Sequence, residues 1–256
     1  MTSNPPVTSG RPHRLQGSVF LPIGDAGRAE LVEKRIAEAI TGGHLRAGSR
    51  LPSEVDLART MGVAPVTVRE ALLALRTRGL VTTKRGRNGG SFVSENADPF
   101  TFARDTLARS SSLALRDLGA HYAALTTAAI RLATRKAAPP EIDAIRARLA
   151  RLTATSAQRD LTAWRQTMDD LQLELVALSQ SARLTRDQMR LQAELSPLLR
   201  LIDTDEAGRT VQYEGSVRVL DAVAAGDENA AGAAMEEMVG DLVRLLESLR
   251  LSLDEA

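Results

Sequence analysis

Apolar residues recur at helical spacing through most of this chain. In the first such segment, Leu31, Ile36 and Ile40 fall along one edge of an amphipathic helix over Glu30–Thr41. Two glycines follow at once, and glycine accepts the left-handed backbone that ends many helices. The pattern therefore predicts a first helix with a buried edge formed by these three residues.

Two shorter helices are predicted next, and each has its own start signal. Ser53 opens the segment Ser53-Glu-Val-Asp56, which resembles a capping box and predicts a helix up to Met61. Pro65 suits the first position of the following helix, because the missing amide has no partner there. Ala64 before it has no side-chain oxygen that could cap the helix. The apolar residues of this third helix that we expect in the core are Val68, Leu72 and Leu75.

A β-hairpin is predicted after the third helix. The runs Leu80–Thr83 and Ser91–Val93 are rich in β-branched and aromatic residues and flank a loop. The loop, Lys84–Gly90, carries three cations on a glycine-rich backbone. It lacks the Gly-Lys-Ser/Thr sequence of a phosphate-binding P-loop, so a nucleotide site is not expected. Residues 25–95 are thus predicted to form a winged helix-turn-helix domain.

The rest of the chain changes to an entirely helical pattern. After a linker over residues 96–100, residues 101–256 are predicted to form an all-α antiparallel bundle whose interior could hold a ligand. The expected fold class is therefore mainly α, with a small β-hairpin in the first domain. The predicted helices of the bundle are Thr101–Ser110, Leu113–Lys136, Glu141–Thr153, Leu161–Gln180, Leu184–Leu201, Glu206–Ala225 and Glu228–Leu253.

Composition narrows the class of protein. A length of 256 residues allows about two domains, and an aromatic content of 3% implies cores built mainly from aliphatic side chains. The absence of cysteine excludes disulfides, thiolate catalysis and the usual zinc clusters. No apolar run reaches the ~18 residues of a membrane span. Residues 1–24 are rich in Pro, Ser and Gly and are expected to be a flexible arm, so we predict a cytoplasmic protein without a membrane partner.

The two halves of the chain differ in charge. Residues Arg28–Val93 contain 12 Lys/Arg and 6 Asp/Glu, whereas residues Ser94–Ala256 contain 19 and 25. A basic first domain followed by an acidic second one indicates a polyanionic partner for the first domain alone. The alternative is a solvated surface with chance clustering of charge.

A helix-turn-helix places the start of its second helix in the major groove of DNA. Thr67 and Arg69 would then contact base edges or phosphates, although Arg69 could instead be a surface arginine paired with Glu70 or Glu54. The cations of the hairpin tip would lie along a groove and neutralise phosphates, with a merely solvated turn as the alternative. The predicted DNA-contacting residues are Ser53, Thr67, Arg69, Lys84, Arg85, Gly86 and Arg87.

These motifs resemble the winged helix of the GntR superfamily. The matching segments are Leu51-Pro-Ser-Glu54, Gly62-Val63, Val68-Arg-Glu-Ala-Leu72 and Gly79-Leu80. The resemblance implies a DNA-binding regulator. Two departures stand out, because Val55 and Ala64-Pro65 replace residues that in the family include DNA-contacting arginines. That difference shifts the expected contacts onto Thr67, Arg69 and the wing.

The second half resembles the FCD effector domain of the FadR branch. Leu171–Ser179 and Val219–Asp227 are similar to two segments of that domain. The resemblance implies a divalent metal, held by one Asp and three His, that helps to bind a carboxylate effector. The equivalent positions here are Met168, Gln172, Ser216 and Met238. None is a ligand of that kind, and the histidines His13, His44 and His121 lie elsewhere, so we predict no metal and no cofactor.

A mainly apolar pocket is expected where the family holds its metal. The residues predicted to line it are Met168, Gln172, Tyr213, Ser216 and Met238. Plain core packing is the alternative for the methionines. Four arginines of the bundle are expected to be solvated, although one of them could hold a carboxylate or phosphate: Arg131, Arg165, Arg190 and Arg200. Trp164 is expected in the core.

The sequence as a whole predicts a metabolite-responsive repressor that binds a pseudo-palindromic operator in double-stranded DNA as a homodimer. The expected effector is a small organic acid or a lipid-like molecule. A constitutive or architectural DNA-binding dimer without an effector remains the alternative. No enzyme is expected, because the chain has no clustered His–carboxylate set and no glycine-rich cofactor loop.

Overall fold

The computed structural model describes residues 26–42, 45–86, 89–152 and 160–254. The predicted arm, residues 1–24, lies outside the described residues. The first domain, here called the head, contains three helices and two strands. Their bounds are α1 (Ala26–Thr41), α2 (Glu54–Met61), α3 (Pro65–Thr77), β1 (Val81–Lys84) and β2 (Gly90–Val93).

The short helices of the head begin and end as the sequence predicts. The Oγ of Ser53 accepts a hydrogen bond from the amide of Asp56, which caps α2. Gly62 ends α2 with a φ of 67°, in the left-handed region that favours glycine. Helix α3 begins at Pro65, and Ala64 makes no side-chain cap, as expected.

The core of the head lies between α1 and α3. Val68, Leu72 and Leu75 of α3 are fully buried, as predicted. On α1 the prediction for Leu31 is wrong, since this side chain is 66% exposed. Val32 is buried in its place, because positions 32, 36 and 40 repeat every four residues and share one face of the helix.

The hairpin is antiparallel, with Val81 opposite Val93 and Lys84 opposite Gly90. The segment before α2 pairs with the other side of β2. The amide of Leu51 donates to the carbonyl of Ser91 at 2.9 Å, and the amide of Val93 donates to the carbonyl of Ser49 at 2.9 Å. These bonds fix the wing relative to the start of α2.

All seven helices predicted for the second half occur within the described residues. Each boundary lies within a few residues of its prediction. The bounds are α4 (Pro99–Arg109), α5 (Ser112–Lys136), α6 (Pro139–Leu149), α7 (Leu161–Ala177), α8 (Ala182–Ile202), α9 (Glu206–Ala224) and α10 (Glu228–Asp254).

The long helices α5 and α10 form the most extensive helix pair of the bundle. Gly119 of α5 allows them to approach closely, because a Cβ at this position would clash with a methyl carbon of Val243. The bundle core is aliphatic and includes Trp164, as predicted. It extends from α4 to α10.

Helix α4 occupies part of the predicted linker. Asp98 caps it by accepting a hydrogen bond from the amide of Phe100, so regular structure begins at Pro99. Phe102 of α4 belongs to the core of the head, whereas Leu107 belongs to the core of the bundle. One helix is thus shared between both hydrophobic cores. Among the described residues no helix is long and apolar enough to cross a membrane.

Candidate functional site

The outer face of α3 is open to solvent. Val68, Leu72 and Leu75 turn toward the core, which leaves Val66 and Arg69 on the opposite face. Thr67, the other predicted base-contacting residue, is half-buried beside them. The first turns of α3 therefore present side chains that no part of the described head covers.

Arg69 forms an ion pair with Glu54, the alternative to a free DNA-contacting arginine. Its Nε lies 3.2 Å from Oε2 of Glu54, and the Arg69 side chain remains 66% exposed. An exposed pair of this kind contributes about 1 kcal/mol at most. The pair therefore holds Arg69 near the start of α2 without preventing it from contacting a phosphate or a base.

Ser53 serves first as a cap. Besides accepting from the amide of Asp56, its hydroxyl donates to Oδ2 of Asp56 at 2.6 Å. Ser53 is exposed and precedes Glu54, the residue that pairs with Arg69. The local role of Ser53 is to fix the N-terminus of α2, where free backbone amides face outward.

The wing carries its cations outward. Lys84 Nζ lies 4.9 Å from the centroid of the Phe92 ring, which orients the lysine along the hairpin. Arg85 is exposed and has no hydrogen bond or ion pair within the described part of the chain. Gly86 follows with a φ of 109°. Arg87, the remaining predicted contact in the wing, lies outside the described residues.

Two arginines that were not predicted as site residues hold the wing in place. Nη2 of Arg50 donates to the carbonyl of Gly89 at 2.6 Å, next to the hairpin tip. Nη1 of Arg76 donates to Oγ1 of Thr83 at 2.9 Å and joins the end of α3 to β1. These contacts fix the angle between the wing and α3. A DNA duplex that contacts both elements would require a particular value of this angle.

A second candidate site lies in the bundle, where residues of α5, α7, α8, α9 and α10 line a cavity of about 30 Å³. Its volume is enough for about two water molecules. Four of the five predicted pocket residues line it: Met168, Gln172, Ser216 and Met238. Tyr213 does not line it, and packs half-buried at the edge of the core.

The apolar wall of the cavity is made partly by thioethers. The sulfur of Met238 accepts a weak hydrogen bond from Oγ of Ser216 at 3.9 Å, and Met235 accepts one from Gln172 at the same distance. Met238 also packs on Gly215, where a Cβ would lie 2.6 Å from its sulfur. Methionine side chains of this kind can adapt to the shape of a ligand.

The opposite wall is charged, which the sequence did not predict. Arg165 is only 3% exposed, so the prediction that it is solvated is wrong. Its Nε lies 3.1 Å from Oδ1 of Asp169, and its Nη1 donates to Oε1 of Gln212 at 2.6 Å and lies 3.4 Å from Oδ1 of Asp203. Two carboxylates thus compensate for the burial of one guanidinium.

The pKa values of this cluster follow from its burial and its charges. Burial lowers the pKa of Arg165, but the carboxylates of Asp169 and Asp203 outweigh it and leave the pKa raised. Burial raises the pKa of Asp169, opposed by Arg165 and by a hydrogen bond from Ser196. Arg165 consequently remains a cation that is already neutralised by its own protein.

Arg200 connects the bundle to the head. It is 1% exposed, which contradicts its expected solvation, because its guanidinium is inserted between three elements. Nη2 donates to the carbonyl of Thr41 at 2.6 Å, and Nη1 donates to Oγ1 of Thr162 at 3.1 Å. The ring centroid of Phe100, on α4, lies 5.9 Å from the guanidinium carbon of Arg200. Arg131 and Arg190 are exposed, as predicted.

Further contacts join α1 to α7 and α8. Lys34 Nζ lies 2.6 Å from Oε2 of Glu194. Burial raises the pKa of Glu38 to about 7, with Lys34 opposing the shift and Glu194 adding to it. Gln166 of α7 donates to the carbonyl of Gly42 at 3.3 Å. The end of α1 therefore rests on the same helices that enclose the cavity.

Comparison with known proteins identifies both halves. The family model described as "Bacterial regulatory proteins, gntR family" matches residues 28–93, and the FCD domain model matches residues 117–241. The HTH-type transcriptional regulator RmpR of Mycobacterium gastri is 36% identical over 185 residues. The chain belongs to the gntR family of bacterial regulatory proteins. This membership confirms the sequence prediction of a GntR-type regulator with an FCD domain.

The extent of similarity differs among relatives of this GntR-family chain. The match to RmpR covers 72% of this chain and spans 66% of RmpR. The uncharacterized regulator Rv0494 of Mycobacterium tuberculosis is 29% identical over 255 residues, covering 92% of this chain and 96% of its own. The solved structure of McbR/YncC from E. coli is similar in fold, with a TM-score of 0.52, 18% identity and coverage of 87% and 98%.

The metal implied by the FCD resemblance does not fit the residues present. The four equivalent positions do converge on one cavity, but their donors are two thioethers, an amide and a hydroxyl. Divalent metals of the expected kind prefer imidazole and carboxylate ligands. Within the described ranges, no group of three or more His, Cys, Asp or Glu residues could hold a metal ion. The absence of a cofactor stays a prediction.

Proposed function

We propose that this GntR-family protein is a transcription regulator that binds operator DNA through its head. The observation that supports this most directly is the uncovered outer face of α3 beside a wing whose Arg85 has no partner among the described residues. A helix of this kind fits the major groove, and the wing cations fit the flanking phosphates. Thr67 and Arg69 would contact bases, with Lys84, Arg85, Gly86 and Arg87 along the backbone.

One head reads only a few base pairs, so a specific site requires two. A homodimer would present two heads related by a two-fold axis, and its operator would be pseudo-palindromic. Repression would follow where such a site overlaps a promoter. The protein would act in the cytoplasm, where the chromosome of a bacterium lies, and neither half needs enzymatic chemistry for this role.

The bundle cavity is the proposed effector site. A small organic acid would compete with Asp169 and Asp203 for Arg165, which both already neutralise. A lipid-like molecule would require Met168 and Met238 to move aside, since these flexible side chains occupy the apolar wall. The geometry therefore favours a lipid-like or neutral effector over an organic acid.

The proposed route from cavity to head runs along the end of α8. Asp203 contacts Arg165 and Gln212 at the cavity, and Arg200, three residues earlier, contacts Thr41 of α1. A ligand that displaces Arg165 or Gln212 would change the position of this helix end. Such a ligand regulates DNA binding only to the extent that it binds one arrangement of the heads more tightly than another.

One observation favours the alternative, a constitutive DNA-binding dimer without an effector. The cavity measures about 30 Å³, far below the roughly 300 Å³ of typical ligand pockets. Thermal denaturation against a metabolite and fatty-acid library distinguishes the two, because a ligand specific for the native state raises the melting temperature. No rise with any class would support the constitutive dimer.

DNA binding itself is tested by fluorescence anisotropy. Wild-type protein is titrated into the duplex upstream of its own coding sequence and into a scrambled duplex, at two salt concentrations. A preference of about a hundredfold that survives the higher salt is expected for a specific regulator, since phosphate contacts alone are non-specific and salt-sensitive. Equal, salt-sensitive binding to both duplexes would contradict an operator in that region.

The surface is tested with a matched pair of variants. The triple variant Thr67→Ala/Arg69→Ala/Arg85→Ala removes two cations from the head. Arg186→Ala/Arg190→Ala removes two exposed cations from α8 of the bundle. The head variant should lose operator binding while circular dichroism shows it folded, and the bundle variant should bind like wild type. Unchanged binding by the folded head variant would overturn the proposed interface.

A further inference from the structure

Two apolar side chains stand exposed on the proposed DNA-reading surface. Val55, the second residue of α2, is 59% exposed, and Val66, the second residue of α3, is 54% exposed. The ion pair between Glu54 and Arg69 joins the two helices at this point. The valines therefore lie at the starts of two helices that this ion pair joins.

Neither valine contributes to the core of the head. Val68, two residues after Val66, is fully buried and supplies the packing of this turn. Leu57 does the same on α2, two residues after Val55. A β-branched side chain has little rotamer freedom, so an exposed valine at a helix start is a rigid apolar projection that gains free energy only against a partner.

The surroundings indicate which partner this is. Arg69 stands one turn beyond Val66, and the exposed cations Lys84 and Arg85 lie on the adjoining wing. Cations on α3 and on the wing, together with two small apolar projections, fit a surface that is anionic with isolated apolar groups. In the major groove of DNA the apolar group is the C5-methyl of thymine.

We propose that Val66 and Val55 contact thymine methyl groups and so specify A·T pairs in the operator. This inference depends on the proposed function, since it assigns the bases read by the same surface. Each contact buries roughly one methyl group, which corresponds to about a fourfold change in affinity. Val66 would be the stronger determinant, because the start of the recognition helix enters the groove most deeply.

The test removes single methyl groups from the DNA. Duplexes bound by the full-length protein are first enriched from a random-sequence library. The enriched duplex is then made with deoxyuridine in place of thymidine, one position at a time, and its affinity is measured for wild type, Val66→Ala and Val55→Ala. Leu113→Ala, at a 74% exposed leucine of the bundle, is the matched control.

At one or more positions, loss of the methyl should weaken wild-type binding about fourfold and leave the binding of Val66→Ala or Val55→Ala nearly unchanged. This non-additivity isolates the contact, because any change in duplex stability affects all proteins equally. An enriched sequence whose deoxyuridine forms weaken wild type and both valine variants alike would overturn the inference. Failure to enrich any sequence would instead contradict the proposed function.

Discussion

Nη2 of Arg200 donates a 2.6 Å hydrogen bond to the carbonyl oxygen of Thr41. Thr41 is the last residue of α1, so its carbonyl has no partner within the helix and carries the negative end of the helix dipole. A buried guanidinium at this place satisfies the carbonyl and joins the bundle to the head. The contact makes α8 the element through which both domains are positioned.

Replacing Arg200 with Met should destabilise the protein by about 1.5–3 kcal/mol, because hydrogen bonds from a charged donor are lost. Equilibrium unfolding in urea measures this change, and hydrogen exchange should rise at the amides of the last turn of α1. Arg190→Met, at an exposed arginine of the same helix, should change the free energy of unfolding by less than about 0.5 kcal/mol. Equal effects would show that the contact with Thr41 contributes nothing.

Asp203→Asn should lower the free energy of unfolding more than Arg200→Met does. The amide keeps the shape of the side chain but removes one of the two carboxylates that compensate for buried Arg165. Breaking a buried ion pair from one side costs about 3–5 kcal/mol. The control is Asp187→Asn, whose partner Arg190 is exposed, with an expected loss below about 1 kcal/mol. A loss for Asp203→Asn no larger than the control's would contradict the assigned charge compensation.

Glu38 should make stability depend on pH. Burial raises its pKa to about 7 from 4.5, and one of its carboxyl oxygens is buried without a hydrogen-bond partner. The folded state therefore binds this proton more tightly than the unfolded state. The resulting stabilisation is fully present below pH 4.5 and is lost as the pH rises through 7.

Glu38→Gln removes this titration and should raise the melting temperature at pH 8 more than at pH 5. Lys34, Arg35 and Glu194 face the same carboxyl and stay in place in the variant, so the difference between the two proteins isolates Glu38. Glu30→Gln, at an exposed carboxyl of the same helix, serves as control. A pH-independent difference between wild type and Glu38→Gln would show that the carboxyl is not buried as described.

Gly215→Ala should reduce the cavity and destabilise the bundle by about 1–3 kcal/mol. The added Cβ would lie 2.6 Å from the sulfur of Met238, so Met238 must move. Gly240→Ala on α10 has its nearest contact at 3.4 Å, with the end of a flexible arginine, and should stabilise the helix by about 0.5–1 kcal/mol. Thermal unfolding of the two variants measures whether each substitution stabilises or destabilises the protein. Similar stabilisation by both would show that Gly215 does not face a filled space.

The sequence predicted the helices of the head because these depend on local signals. The cap at Ser53, the proline that begins α3 and the glycine that ends α2 all act within a few residues. Helical spacing also placed Val68 and Leu72 in the core. Leu31 was misplaced because several apolar residues in α1 allow more than one buried edge, and packing against α3 selects among them.

The buried charges of the bundle could not be predicted in the same way. Arg165 and Asp169 are four residues apart, which is a visible helical pair, but such pairs are usually solvated. Asp203 and Gln212, which complete the cluster, come from the end of α8 and from α9. Only the packing of three helices brings them together. Arg200 was misplaced for the same reason, since its partner Thr41 lies in the other domain.

Arg85→Ala should weaken DNA binding without changing which sequence is preferred. The side chain is exposed and has no partner in the described chain, so it is free to neutralise one phosphate. Loss of one phosphate contact lowers the slope of log affinity against log salt by about 1. Anisotropy titrations at several salt concentrations should show this change equally on operator and scrambled duplexes, whereas Arg186→Ala in the bundle should leave the slope unaltered. A selective loss on the operator alone would place Arg85 at a base edge, and no loss at all would remove Arg85 from the interface.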